Sequence, residues 1–241
     1  MLLSRPAPLT SSSLLGVVLA LLVVGGVACN PVTSAAEREV ERVLEDAFGP
    51  ADRYDVQIEG LNVGAGTARR VTVTGDRVRP EDAPVLNRLD AVLDGVRFNR
   101  AENRLERADR ADLAVSVLPN DLAAFLEASG RVEEARVTLE PPRSLVLQVR
   151  PDLGAIPLPP GATVRVEGTV EGEGALVLLD VTRVEAAGMG LGGAAADLLE
   201  DQVNPLLDLS ESGGLEVSDV RVEGGALRFE ATGPLTDVRF D

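Results

Sequence analysis

The spacing of apolar and polar residues changes several times along the chain. Residues 14–28 form an uninterrupted run of apolar residues and glycine, and residues 34–48 then carry apolar positions on one helical face. Ser34 and Glu37 have the capping-box spacing of a helix start, and Gly49-Pro50 is a typical helix end. The sequence therefore predicts an amphipathic helix over residues 34–48.

From Asp55 onward the apolar spacing is mostly two, which is typical of half-buried strands. A turn is expected at 64–66, a hairpin over 164–184, and two final strands near 215–222 and 226–231. Residues 84–94 fit either a strand or a helix, because their leucines satisfy both spacings. Other strands are predicted around Val56/Ile58, Val71/Val73, Leu113/Val117, Val137/Leu139 and Leu145/Val149.

Two further helical segments are expected between the strands. Asn120 is predicted to cap a short helix that ends at Gly130. The small-residue stretch 186–196 leads into a helix that ends near Asn204-Pro205. The proline-rich residues 151–161 are predicted to form a loop or an edge crossing.

A short pattern recurs at three places. Val56–Gly60 resembles Val164–Gly168, with glycines following at the same spacing, and Val220–Gly224 repeats the five residues. Two related halves would produce such a pattern. Hairpins that each need a Val-x-Val strand followed by glycine would also produce it, and the sequence leaves both explanations open.

The apolar run at 14–28 has the length of a secretory signal core and is shorter than the roughly 20 residues that span a bilayer. It ends at Cys29, the chain's single cysteine, which resembles the lipobox of bacterial lipoproteins. This resemblance implies a signal peptide over 1–28, lipidation of Cys29, an anchor and linker over 29–33, and one domain over 34–241. An uncleaved anchor helix and an ordinary signal peptide are the alternatives.

The composition excludes several classes of function. The net charge is −16 and all basic residues are arginine, so binding to a phosphate backbone is not expected. The chain has no histidine, which removes the commonest general base and metal ligand. We therefore expect no enzyme activity, no cofactor, no catalytic residue and no metal. A hydrolase that uses carboxylates alone is the one enzymatic alternative.

Several segments resemble the LmeA-like phospholipid-binding family of bacterial envelope proteins. The resemblance extends over about residues 34–234 and lies in Leu89–Asn99, Ala111–Leu126, Asn204-Pro205 and Leu215–Gly233. It implies an α+β fold similar to tubular lipid-binding domains. In that fold a long curved antiparallel sheet wraps around one or two long amphipathic helices, with an apolar cavity between them.

The same resemblance implies a function outside the cytoplasm. We expect a membrane-anchored envelope lipoprotein, periplasmic or on the outer face of the membrane, that binds phospholipid or another acyl lipid as a carrier or sensor. The alternative is a non-catalytic structural subunit of an envelope complex with a solid core. The predicted cavity residues lie on the first and last helices, although each of them also suits an ordinary core: Val40, Val43, Leu44, Phe48, Met189, Leu191, Leu198 and Leu199.

Overall fold

The computed structural model describes residues 48–62, 64–99, 104–130, 132–150, 163–210 and 214–239. These residues belong to one compact unit. Twelve strands and two helices follow in the order β1 Arg53–Glu59, β2 Thr67–Val78, β3 Leu86–Asn99, β4 Arg104–Val117, α1 Pro119–Ala128, β5 Glu133–Glu140, β6 Ser144–Arg150, β7 Val164–Glu173, β8 Leu176–Ala186, β9 Met189–Gly190, α2 Gly193–Val203, β10 Leu207–Asp208, β11 Glu216–Glu223 and β12 Ala226–Arg239.

The strands form two sheets, in which all the described pairs are antiparallel. Sheet 1 has the order β1-β2-β3-β4-β12-β11, and sheet 2 has the order β10-β8-β7-β6-β5, with β9 beside β8. The element order contains a repeat: the four-strand meander β1–β4 precedes α1, and the meander β5–β8 precedes β9 and α2. This architecture confirms the predicted antiparallel pairing, which is divided between two sheets.

The expected wrapping of the sheet around long helices is wrong for the described chain, which is dominated by sheet. The helix α1 has 10 residues and α2 has 11. Local sequence limits both: α1 begins at Pro119 and is followed by Gly130, and α2 lies between Gly192 and Asn204-Pro205. The predicted helix over 34–48 lies outside the described residues except for Phe48, which is helical.

The ambiguous leucine segment belongs to a strand. Leu89 pairs with Val115 across β3 and β4, so pairing with neighbouring strands selects the period of two over the helical alternative. The predicted turn at 64–66 and the hairpin of β7 and β8 are confirmed. Asn120 is not a cap, because α1 begins one residue earlier at Pro119. The predicted loop at 151–161 lies outside the described residues.

The recurring five-residue pattern occupies different places in the sheets. Val56–Gly60 falls on β1 at one end of sheet 1, and Val164–Gly168 falls on β7 inside sheet 2. Val220–Gly224 falls on β11 at the other end of sheet 1. The pattern therefore does not follow the repeat of meander and helix.

One hydrophobic core cluster joins the two sheets and both helices. Leu89 and Phe229 contribute from sheet 1, Leu147 from sheet 2, Leu122 from α1 and Leu199 from α2, and all five are almost fully buried. The Arg77 guanidinium on β2 donates two hydrogen bonds, of 2.5 and 2.9 Å, to the Asp121 carboxylate in the first turn of α1. This ion pair attaches α1 to the end of sheet 1.

Candidate functional site

Two transverse rows of apolar residues cross the inner face of sheet 1, the face that carries the core. The strand register aligns Val71, Leu93, Ala111 and Gly233 in the first row. It aligns a second row two residues further along each strand: Val73, Ala91, Leu113 and Ala231. We call these eight residues the alanine rows. They form one continuous apolar surface, because successive rows on one sheet face are adjacent.

The alanines of the rows lie outside the core cluster between the sheets. The next row along the same four strands consists of Gly75, Leu89, Val115 and Phe229, and its three larger members belong to that cluster. In the alanine rows, Ala91, Ala111 and Ala231 are buried but do not belong to that cluster, and Leu93 is half-buried. At the three alanines, the buried apolar surface therefore lies close to the backbone of sheet 1.

The first row is covered toward β11 and becomes more exposed toward β1. A side chain at Gly233 would collide with the carbonyl oxygen of Gly214, so the main chain covers that end of the first row. At the opposite end the row continues to Ile58, which is 40% exposed. Four strands at about 4.8 Å spacing make the rows about 14 Å long. One bilayer leaflet has a hydrocarbon depth of about 15 Å, so the rows match the scale of an acyl chain.

The outer face of the same sheet is covered by arginine–carboxylate pairs. Arg70 donates to both carboxylate oxygens of Asp94, at 2.7 and 3.1 Å, and this hydrogen bonding holds the pKa of Asp94 below its ordinary value. Arg110 and then Thr232 donate to Asp112 and lower the pKa of its carboxyl in the same way. Sheet 1 therefore has one apolar face and one ionic face.

A shallow depression of about 240 Å³ on the outer face is too polar for an acyl chain. It is lined by Arg53, Asp55, Thr74, Asp76 and Arg88. Arg88 donates to Asp76 at 2.7 Å and also to Asp90, so its guanidinium is already occupied by carboxylates. These contacts indicate a surface ion-pair network.

The eight cavity residues predicted from the sequence are not all described. Val40, Val43 and Leu44 lie outside the described residues. Phe48 and Leu191 are half-buried and packed against the core cluster, and Leu199 is fully buried inside it. Met189 and Leu198 are on the surface, with exposed fractions of 68% and 39%. The structure thus places the five described residues in the core or at the surface of the α2 region.

The Asn204-Pro205 segment, which was part of the sequence resemblance, has a clear structural role. The Asn204 carboxamide accepts a hydrogen bond of 2.8 Å from the Leu179 N–H and donates one of 3.0 Å to the Leu179 carbonyl. One turn earlier, the Glu200 carboxylate accepts from the Val181 N–H at 3.2 Å. These side chains complete the main-chain bonding of β8 where β10 does not reach it.

Other kinds of site receive no support in the described ranges. No helix there is long and apolar enough to cross a bilayer. No three acidic, histidine or cysteine side chains come together there in a way that could hold a metal ion. The predicted signal segment, Cys29 and the linker lie outside the described residues and remain predictions.

The sequence alone did not reveal the alanine rows. Ala111 follows Asp109 and Arg110 in a charged stretch, so its burial has little local signature. The nearest sequence signal was the alternation of Val71 and Val73, which predicted a strand but not its neighbours. Membership of a row depends on the register between strands that are distant in sequence.

Comparison with known proteins identifies the family. The model of the LmeA-like phospholipid-binding family matches residues 27–232, which is most of the chain. No curated protein and no solved structure matches. The chain belongs to the LmeA-like phospholipid-binding family.

Proposed function

We propose that the protein is a membrane-anchored carrier or sensor that holds the acyl chain of a phospholipid against the alanine rows. The observation that carries this proposal is the continuous apolar surface of the alanine rows, whose three alanines are buried outside the core cluster. Membership of a phospholipid-binding family supplies the class of ligand. The match between the length of the rows and the depth of one leaflet supports binding of a single chain lengthwise.

Burial of the acyl chain accounts for binding without requiring high affinity. Each methylene removed from water contributes about 0.8 kcal/mol. A bilayer already provides the same burial, so transfer from membrane to protein lies near balance. The alanine rows would therefore keep the acyl chain out of water during exchange, which suits a carrier or a sensor better than a storage protein.

The proposed role includes no catalysis. The chain has no histidine, and its single cysteine is assigned to the anchor. The pKa values of Asp94 and Asp112 are lowered by arginine partners, so both carboxyls are held ionised on the face opposite the rows. A carboxylate so held is a poor general acid near neutral pH.

The proposed location is outside the cytoplasm, with Cys29 lipidated. The five residue-to-residue steps from Cys29 to Ser34 span at most about 17–18 Å when extended. A domain on such a short linker would remain close to the membrane that holds its anchor. Acyl chains would then enter the alanine rows from that membrane.

A structural subunit of an envelope complex is the second candidate. It is favoured by the core cluster, in which Leu147, Leu179 and Leu199 have no exposed area and leave no room for lipid. The two candidates make different demands on the alanine rows. A carrier requires a lipid there, whereas a structural subunit requires only packed side chains.

Native mass spectrometry of residues 30–241, produced without detergent, separates the two candidates. We expect a population whose added mass matches a phospholipid and which loses that mass on collisional activation. Vesicles with a labelled phospholipid should then show exchange that depends on protein concentration. Protein that carries no lipid and does not acquire any from vesicles would exclude the carrier and leave the structural candidate.

A further inference from the structure

Two of the four sheet edges are covered by other parts of the described chain, and a third has a side-chain contact at one residue. At the β11 edge, the Val217 N–H donates to the Gly174 carbonyl in a turn of sheet 2, at 2.7 Å. At the β5 edge, the Glu127 carboxylate of α1 accepts from the Ala135 N–H at 2.7 Å. The β8 edge is covered by α2 and β10. Covered edges do not pair with other chains.

The fourth edge, β1, differs from these three. Within the described ranges, β1 pairs with β2 alone. Its side chains are exposed or half-buried along all seven residues, and the pattern includes the exposed Ile58. Among the described residues, Arg53 forms a loose ion pair with Asp55, at 3.9 Å, and Glu59 accepts a hydrogen bond from Arg69, at 3.1 Å. An edge with apolar side chains that no other described segment pairs with is a template for another strand.

We infer that β1 binds β1 of a second copy of this chain, antiparallel and centred on Val56. In this arrangement Arg53 of each copy faces Glu59 of the other, which gives two opposite-charge pairs. Tyr54 faces Ile58, which gives two apolar pairs, and Val56 faces itself on the two-fold axis. The strand is thus complementary to itself in both charge and hydrophobicity, as an isologous interface requires.

The main-chain bonding of β1 agrees with this register. Asn62 and Thr67 exchange both main-chain hydrogen bonds, of 2.7 and 3.2 Å, with the same register as β1 and β2. In an antiparallel pair, the residues that exchange both hydrogen bonds recur at every second position. Counting back from Asn62 therefore shows that the even-numbered residues of β1 are the ones hydrogen-bonded to β2. The odd-numbered residues then direct their N–H and C=O groups outward. Pairing centred on Val56 places these groups opposite one another: Arg53 with Glu59, and Asp55 with Gln57.

The pairing would join the apolar surfaces of two copies. Val56 lies beside Val73 in the second of the alanine rows, so the rows of both copies would meet at the axis on the same side of a combined sheet. A single strand pair is small beside a standard interface, so we expect a dissociation constant on the order of micromolar. This inference does not depend on lipid binding, and its test measures association alone.

A cysteine placed on the axis tests the inference directly. The full chain with Cys29→Ser has no other cysteine, so Val56→Cys adds a single thiol that would face its own copy. Under mild oxidation we expect a disulfide-linked dimer of Val56→Cys. The control Ile58→Cys, on the same strand and face, should remain largely monomeric because its thiols would be four residues apart in register. Equal cross-linking of the two variants, or none, would overturn the proposed pairing.

Charge exchange provides an independent measurement. Sedimentation velocity should show that Arg53→Glu and Glu59→Arg each weaken association at least fivefold, with folding checked by circular dichroism. The double variant restores opposite charges across the axis and should return to within twofold of the parent. Arg107→Glu on β4 makes the same charge change away from the edge and should have no effect. If all variants behave alike, another surface mediates association.

Discussion

The side chain of Asn204 substitutes for a β-strand beside Leu179: its carboxamide accepts from the N–H and donates to the carbonyl of that one residue. Leu179 has no exposed area. The carboxamide offers a donor and an acceptor side by side, as a strand residue does. The end of α2 is thereby held against β8, just before the chain continues into β10.

Asn204→Ala should destabilise the fold by about 2–3 kcal/mol, because it leaves the main-chain groups of Leu179 without their partner. Urea denaturation followed by circular dichroism measures the change. Asn120→Ala, at an exposed position of α1, is the matched control and should stay within about 0.5 kcal/mol of the parent. Equal stability of the two variants would show that the contact with Leu179 contributes little.

Stability should fall in acid because of the ionic face of sheet 1. Hydrogen bonds from Arg70 and Arg110 hold the pKa values of Asp94 and Asp112 below ordinary values. An unfolded aspartate has a pKa of about 4. Near and below that pH, the folded state therefore binds fewer protons than the unfolded state. The stabilisation is therefore present above about pH 4 and is lost as the pH falls through the lowered values.

Urea titrations at pH 7, 4 and 3 test this expectation. The combined variant Asp94→Asn and Asp112→Asn should lose less stability between pH 7 and 3 than the parent. The control Asp197→Asn with Asp201→Asn, at two exposed positions on α2, makes the same change in net charge and should retain the parent's full loss. A double variant with the parent's pH dependence would assign acid sensitivity to other groups.

Ala111→Phe should displace lipid from the alanine rows. The added ring would occupy the space above the sheet, so we expect at least fivefold less phospholipid per protein, measured as phosphate after purification without detergent. Ala114→Phe makes the same change on the exposed outer face of β4 and should retain the lipid.

The stability of Ala111→Phe distinguishes a lipid site from solid packing. Where protein atoms already fill the space, an added ring costs about 1–3 kcal/mol. Where the ring replaces an acyl chain, the variant should keep the thermal stability of lipid-free parent protein. Loss of stability with unchanged lipid content would place the lipid elsewhere.

Linker length should control exchange with a second membrane. Ten added glycine and serine residues between Cys29 and Ser34 would extend the reach of the domain by roughly 15–20 Å. Transfer of labelled phospholipid from a membrane holding the anchored protein to acceptor vesicles should become faster. A linker of the original length but glycine and serine composition is the control, and equal rates for both lengths would count against anchored exchange.

The strands could be predicted from the sequence because the alternation of apolar and polar residues within each segment indicates which side chains are buried. Val71 and Val73 or Leu113 and Val115 indicate strands without reference to neighbours. The segment 84–94 could not be assigned in this way, since pairing of Leu89 with Val115 decides between its two periodicities. The start of α1 was misplaced because Asn120 is a good cap residue, while the less distinctive Pro119 begins the helix.

The candidate site was harder to predict than the fold. Sequence reasoning placed lipid contacts on helices, where apolar side chains are large, and Leu199 proves to be part of the packed core. The alanine rows draw one small residue from each of several strands, and Ala91 and Ala231 are 140 residues apart in sequence but belong to one row. Only the register between strands brings such residues together.

The most direct test of acyl-chain binding uses tryptophan fluorescence, because the chain has no tryptophan of its own. Leu93→Trp places the indole in the first of the alanine rows, and Val92→Trp places it on the opposite face of the same strand. With phospholipid brominated on its acyl chains, we predict strong quenching at residue 93 and little at residue 92. Equal fluorescence at residue 93 with brominated and unbrominated lipid, under conditions where lipid is bound, would contradict the account.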